Sequence, residues 1–416
     1  MTEVRKRRRS LTNVGGPVDT SGDTDSARAL AHAIDVKPET DADAPDRAHV
    51  HGFHVYPART HPVTARRLIE AFSAEDDRVL DPFCGSGTVL VEAMLAGREA
   101  VGTDLNPVAV RLATAKTYPR TEARIEALLT AAQGVVEFAN ARRKAKAGAT
   151  RRLPREDVAI FVPHVLLELD GIRGGIEKAP PEHRPDLSLV LSSILVKMSA
   201  KRGDTSDEPL EKRIGAGYPS KLFLKKTEEL GKRLTAFAAM LKTPPPRARV
   251  TLDDATVLKS VKPGSIHAVV TSPPYVATYD YLVHHEMRMR WLGLDARGLA
   301  KNELGARRHY ERLSPRESVL AWERELADLF RSIARVTKKD GAVLLLIADS
   351  ASARGPKGEA SIALRADEIV AKVAEETRTL VPVARASQAR PHFHGPTADA
   401  FRDRDRFEHA LLLRRG

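Results

Sequence analysis

A strand, a glycine-rich turn, a helix and a second strand follow one another between Arg78 and Asp104, and nothing else in the 416-residue chain constrains its fold as strongly. Arg78-Val79-Leu80-Asp81 is a short apolar run closed by an acid, the pattern of a buried strand. In Gly85-Ser86-Gly87, two glycines around a small residue let the backbone turn tightly and approach a ligand closely. Val89 to Ala96 reads as a helix closed by Gly97, and Glu99 to Thr103 reads as the second strand, ending at Asp104. Such a βαβ unit aims backbone amides and the positive end of the helix at whatever sits in the turn. Its second strand brings up an acid of the kind that accepts ribose hydroxyls in nucleotide-binding folds. Taken alone, the same glycines would also serve a plain structural turn.

The rest of the chain extends this alternation. Ala65, Leu68, Ile69 and Phe72 have helical spacing, and strand-like runs recur at Arg249–Leu252, Ile266–Thr271, Ala342–Ala348 and His409–Leu413, with a helix expected over Ile362–Thr377. Strands alternating with helices predict an α/β fold with a mostly parallel sheet. Residues 1–48 carry almost no large apolar side chains and read as a disordered basic tail, with Arg5-Lys6-Arg7-Arg8-Arg9 as its charged cluster. The cofactor half of the main domain is then expected over 49–120 and the other half over 246–416. Between them, 121–245 reads as an inserted helical subdomain, with basic residues Arg142, Arg143, Lys144, Lys146, Arg151, Arg152 and Arg155. That insert suits phosphate contacts and target reading, or a lid that only packs on the core.

Composition narrows the classes. A net charge of +12 fits a polyanionic partner and fits simple solubility charge equally well. The single cysteine, Cys84, excludes an intrachain disulfide framework and a multi-cysteine zinc site, and suits a reducing, cytoplasmic setting. No apolar run approaches the roughly 18 residues of a membrane span, and no apolar stretch follows the basic start as a secretory signal requires. His284, His285, His392, His394 and His409 fit no standard metal spacing, so no metal is expected.

A second motif carries chemistry. Ser272-Pro273-Pro274-Tyr275 follows the strand-like Ile266–Thr271 run. Two prolines fix the backbone and remove donors, leaving carbonyls that only accept. The exocyclic amine of a base is a poor nucleophile because its lone pair is delocalised into the ring. Acceptors at Ser272 Oγ and the Pro273 carbonyl would hold both amine hydrogens and draw the lone pair out of conjugation, and Tyr275 offers a ring for a flipped base to stack on. Alone, Pro-Pro-Tyr would be a rigid turn beside a core tyrosine.

The full run VLDPFCGSGTVLVEAMLAGREAVGTDLNPVAV resembles the cofactor motif of the amino-methyltransferases of DNA. The resemblance implies a Rossmann-like, seven-stranded, mostly parallel sheet and S-adenosylmethionine as cofactor. It places Asp81, Phe83, Gly85, Ser86, Gly87 and Thr88 along the methionine and ribose, Asp104 at the ribose hydroxyls, Leu105 and Asn106 beside the adenine, His61 at the methionine end and Asp254 near the adenine amine. Ser272, Pro273, Pro274 and Tyr275 become the catalytic loop. In this family Asp before Pro-Pro-Tyr is typical of adenine 6-amino methylation and Ser of cytosine 4-amino methylation, so Ser272 points to cytosine. Carbon-5 methylation needs a cysteine nucleophile, and Cys84 lies inside the cofactor turn. The segments Tyr279-Asp280-Tyr281, Glu303 to Arg308 and Glu408 to Leu413 are similar to later parts of the same family.

The implied function is site-specific methylation of cytosine N4 in double-stranded DNA, in the cytoplasm at the nucleoid, without a membrane partner. A cognate restriction endonuclease is left open. The alternatives are adenine 6-amino methylation of DNA, guanine 2-amino methylation of RNA, and a DNA-binding protein with a degenerate methylase fold.

Overall fold

The computed structural model describes residues 15–37, 45–203, 209–352, 355–356, 359–390, 400–403 and 405–416. The Arg5–Arg9 cluster, His392 and His394 lie outside them. Among the described residues ten strands occur in chain order: β1 Val18–Gly22, β2 Arg78–Asp81, β3 Glu99–Asp104, β4 Ala248–Leu252, β5 Ile266–Thr271, β6 Thr337–Ala348, β7 Ser350–Ala351, β8 Ala363–Leu364, β9 Leu380–Arg390 and β10 Arg406–Arg415. Eight of them form one sheet in the order β1-β9-β10-β6-β5-β2-β3-β4, and β7 pairs with β8. Neighbours from β4 through β6 are parallel, whereas β10 runs antiparallel to both β6 and β9. The fold is thus a doubly covered, mostly parallel α/β sheet. The near-continuous apolar composition of Val343–Ile347 follows from burial on both faces.

The eighth strand corrects two expectations, the seven-strand sheet and the disordered tail. Val18–Gly22 pairs with β9 as an edge strand, and the helix Thr24–Ile34 packs behind it. Asp23 caps that helix by accepting from the Ser26 amide at 2.9 Å, and Ala27, Leu30, Ala33 and Ile34 are buried. Gly22 has φ +91, and a Cβ there would lie 2.2 Å from the Val383 carbonyl, so glycine is needed where the strand hands over to the helix. The apolar burial of this stretch is confined to one face of the helix, and the strand itself is held by ladder hydrogen bonds. Low apolar content therefore did not mean disorder here.

Between β3 and β4 lie the helix Pro107–Thr117 and five further helices, Glu122–Lys144, Arg155–Ile160, Pro163–Lys178, Arg184–Met198 and Tyr218–Met240. Leu128, Val135, Leu169, Ile172, Ile194, Phe223 and Leu234 bury together with Leu90, Val108 and Leu112 in one continuous core on that side of the sheet. At Gly175 a Cβ would come 2.9 Å from the Val135 carbonyl, so two of these helices touch backbone to backbone. No helix among the described residues is long and apolar enough to cross a membrane.

Candidate active site

The glycine turn is built from the strand ends of β2 and β3. Asp81 is buried at the end of β2, and both of its hydrogen bonds fall on Oδ1: Phe83 N donates at 3.1 Å and Thr271 Oγ1 at 2.7 Å. Cys84 N donates to the Thr103 carbonyl and Thr103 Oγ1 to the Pro82 carbonyl, so the turn is stitched to β3 on both sides. Cys84 is buried against Gly102, where a Cβ would lie 3.2 Å from its Sγ. Burial also pushes its thiol well above the usual range, so it is a packing residue and no nucleophile. Gly85 and Gly87 have φ of +50 and +86. Asp104 Oδ2 accepts from Gly85 N and Oδ1 from Asn106 N, both at 2.8 Å. Burial raises the Asp81 carboxyl to about 7 and the Asp104 carboxyl to about 6, against the hydrogen bonds that lower them.

The Thr271–Asp81 hydrogen bond ties the two sequence motifs together, because β2 and β5 are neighbours in the sheet. Past Thr271 the Ser272–Tyr275 loop is braced from outside. Gly305, at φ +68, lies under it so closely that a Cβ would sit 3.0 Å from the Tyr275 carbonyl. Ala277 N donates to the Gly305 carbonyl, while Gly305 N and Tyr310 Oη both donate to Glu325 Oε2. Glu303 accepts from Tyr281 N at 2.6 Å, and Arg308 bridges Glu303 and Asp280. Burial raises the Tyr275 phenol, with the nearby Ser272 side chain opposing the rise.

Two adjoining cavities meet at this loop. The first, about 840 Å³ including its mouth, is lined by Asp81, Phe83, Gly85, Ser86, Thr88, Asp104, Leu105, Asn106 and Asp254 among the sequence-predicted residues. The second, about 1210 Å³, is lined by His61, Ser272, Pro273, Pro274 and Tyr275. Ser272 and Pro274 line both, together with Ala58, Arg59, Thr60 and Tyr281. The structure therefore separates two expected cofactor residues from the first cavity. His61 faces the second cavity and caps the helix Pro62–Phe72 through Nδ1, with burial lowering its imidazole to about 4. Gly87 packs against Ala113, where a Cβ would lie 3.0 Å from the Ala113 Cα. Asn106 is present but committed: Oδ1 caps Val108 N, and Nδ2 reaches His285 Nδ1 at 2.8 Å and Tyr56 Oη at 3.3 Å. Sequence reasoning assigned no role to Tyr56, Arg59, Thr60, Arg390 and Arg406. They stand far apart in the chain, and no local motif marks them. Of the basic cluster in the helical region, Arg151 is engaged structurally, near Asp157 and Asp170 and over the Trp291 ring, while Arg143, Lys144, Lys146, Arg152 and Arg155 are exposed.

The chemistry of the first cavity selects among nucleotide-like ligands. Asp81, Asp104, Asp254 and Glu303 line it against one basic residue, Arg59. Such walls repel a pyrophosphate and suit a ligand with a cationic centre and ribose hydroxyls. The Ser86 hydroxyl is buried in the turn with no hydrogen-bond partner among the described residues. A buried unpaired hydroxyl is costly unless a ligand satisfies it.

Residues 35–115 match the family described as DNA methylase. That segment is similar to the DNA amino-methyltransferases. Its cofactor is S-adenosylmethionine, whose cationic centre suits the acidic cavity. Individual relatives match over parts of the chain. The Type II methyltransferase M.MvaI of Kocuria varians is 43% identical over 72 residues, 17% of this chain and 16% of its own length. The tRNA (guanine(10)-N2)-dimethyltransferase of Methanothermobacter thermautotrophicus is 42% identical over 52 residues, 12% of this chain and 16% of its own length. A longer match, to the Type II methyltransferase M.BsoBI of Geobacillus stearothermophilus, is 25% identical over 264 residues, 55% of this chain and 50% of that one. The chain thus spans half or less of the length of these relatives.

Proposed function

We propose that the protein is a DNA methyltransferase that places a methyl group on the 4-amino nitrogen of cytosine within a specific duplex sequence. The observation that carries this reading is the meeting of an acidic cofactor cavity and a second, aromatic-lined cavity at Ser272 and Pro274. S-adenosylmethionine, when bound, supplies an electrophilic methyl group. Asp104 would hold its ribose hydroxyls, Ser86 a polar group at the turn, and Leu105 and Asp254 the adenine end. In the second cavity Ser272 Oγ and the Pro273 carbonyl would accept the two hydrogens of the target amine, raising the nitrogen lone pair out of the ring. Tyr275 and Tyr279 line the same space and offer faces to a base turned out of the duplex. The exposed basic residues of the helical region, Arg143 to Arg155, would contact phosphates, with that region reading the target.

Ser272 in place of an acid favours cytosine over adenine, the nearest alternative, through the resemblance to the cytosine-type members of the family, where Ser precedes Pro-Pro-Tyr. The names of M.MvaI and M.BsoBI, both Type II methyltransferases, fit a role in restriction–modification with a cognate endonuclease. Single-molecule sequencing of DNA from an expressing host tests the reading directly. The expected product is 4-methylcytosine at one recurring motif, and Ser272→Ala should lower turnover by about 100-fold or more, the order seen when one preorganised polar group is lost. Finding 6-methyladenine would overturn the choice of base, and undiminished methylation by Ser272→Ala would overturn the role of the loop.

A further inference from the structure

The second cavity holds a charge arrangement that the methyl-transfer chemistry does not need. Its far wall is formed where β6, β9 and β10 reach the same edge, with Leu346, Ala348, Arg390, Arg406 and Glu408 facing it. Arg390 and Glu408 neutralise each other through a 2.8 Å hydrogen bond from Nε to Oε2, and Arg390 also donates to Gln388. Arg406 is different. It is half-buried, and its Nε donates to the Asp349 carbonyl at 2.8 Å. Among the described residues neither of its terminal nitrogens has a hydrogen-bond or carboxylate partner. Its guanidinium lies close enough to the Tyr275 and Tyr279 hydroxyls that its charge opposes the rise that burial imposes on both phenols.

Asp349 fixes the arginine in place from below. Its carboxylate accepts from Phe407 N at 3.0 Å and Ala366 N at 3.0 Å, and lies 3.0 Å from His409 Nε2. Asp349 N in turn donates to the Phe407 carbonyl. The end of β6 is therefore locked to the start of β10, and the two free nitrogens of Arg406 form an end-on fork facing a cavity.

We propose that Arg406 is a specificity-determining residue that reads the ring edge of the flipped cytosine through N3 and O2, an inference that rests on the cytosine reading above. Cytosine presents two adjacent acceptors, N3 and O2, beside its 4-amino group, matching a planar fork of donors. Beside its 6-amino group adenine presents N1 alone, followed by a C–H, so the same fork is half satisfied. Guanine presents the N1–H donor between its 2-amino group and O6, which opposes a guanidinium. Ser272 and the Pro273 carbonyl thus grip the amine that all three bases carry, while Arg406 selects among them.

The probe is a duplex oligonucleotide bearing the site mapped by sequencing, with cytosine or an abasic residue at the target position. Arg406→Ala should lower kcat/KM on the cytosine duplex between about 5- and 150-fold, the range for a lost bidentate base contact. It should weaken binding of the cytosine duplex while leaving the abasic duplex unchanged. Arg406→Lys, which keeps the charge without the fork, should stay within a few fold of the alanine variant. Retained S-adenosylmethionine affinity and thermal midpoint show that both variants fold. Equal losses on the two duplexes, or rescue by lysine, would identify a phosphate contact and overturn the inference. A wild-type protein that makes no 4-methylcytosine overturns the cytosine reading itself, whatever Arg406 does.

Discussion

The two cavities of the active site are built on opposite plans. The first cavity takes the largest single share of its wall from one contiguous stretch, Asp81 to Asn106, folded on itself by hydrogen bonds between β2, the glycine turn and β3. The target cavity is assembled from the Ser272–Tyr281 loop, the helices Thr24–Ile34 and Pro62–Phe72, and the ends of β6, β9 and β10. The glycine turn at the heart of the first is locally determined. The second is determined by tertiary packing, and its Ser272–Tyr275 loop is held in part by residues that line neither cavity, above all Glu325. Substitutions at such braces should separate the functions of the two cavities.

The sharpest separation is expected at Gly305. Gly305→Val meets the Tyr275 carbonyl and a left-handed backbone at once. Turnover on DNA should fall about 100-fold or more while the Kd for S-adenosylmethionine, measured by calorimetry, stays within about twofold. Equal damage to both would show that the loop and the glycine turn act as one body. A smaller effect is expected at Glu325, where Glu325→Gln weakens the acceptor shared by Gly305 N and Tyr310 Oη. About tenfold in kcat is the scale of one impaired buried hydrogen bond, and an unchanged kcat would remove Glu325 from the brace.

The smallest effect concerns pH. Burial raises the Asp81 carboxyl from 3.8 to about 7, so the folded protein holds a proton there that the unfolded chain releases. The stability this contributes is fully present below pH 3.8 and is lost as pH rises through about 7. Asp81→Asn keeps an oxygen for both Thr271 and Phe83 and cannot ionise. Its thermal midpoint should gain on the wild type between pH 5 and pH 8 by a few degrees, corresponding to on the order of 1 kcal/mol. Parallel pH profiles for the two proteins would rule out Asp81 as the source.

The contrast also explains what could be read from the chain. The βαβ unit was legible because its strand, turn and helix are consecutive and each residue type has a local reason. Ser272–Tyr275 was legible for the same reason, as a strand followed by prolines. The residues around the second cavity were not, since Arg59, Arg390 and Arg406 come together only through tertiary packing. Asn106 shows the limit of motif reading. It sits where expected, yet its side chain serves the helix start and His285. The strand Val18–Gly22 escaped notice because an edge strand is fixed by backbone pairing and needs little apolar surface, although Ala27, Leu30, Ala33 and Ile34 carried a helical stripe in plain view.

The hydrogen bond between Thr271 and Asp81 has an architectural consequence. It spans adjacent central strands, so the separation between the two halves of the active site is the pitch of the sheet, about 4.8 Å per strand. The helical region leaves after β3 and returns at β4, on the far edge of the sheet, and never interrupts that central pair. Lengthening it adds only the slow logarithmic penalty of a longer connection, about 0.6 kcal/mol per doubling. The spacing of the central strands is therefore set by the sheet alone, while the helices inserted between β3 and the edge strand β4 bury their apolar faces in the core on that side.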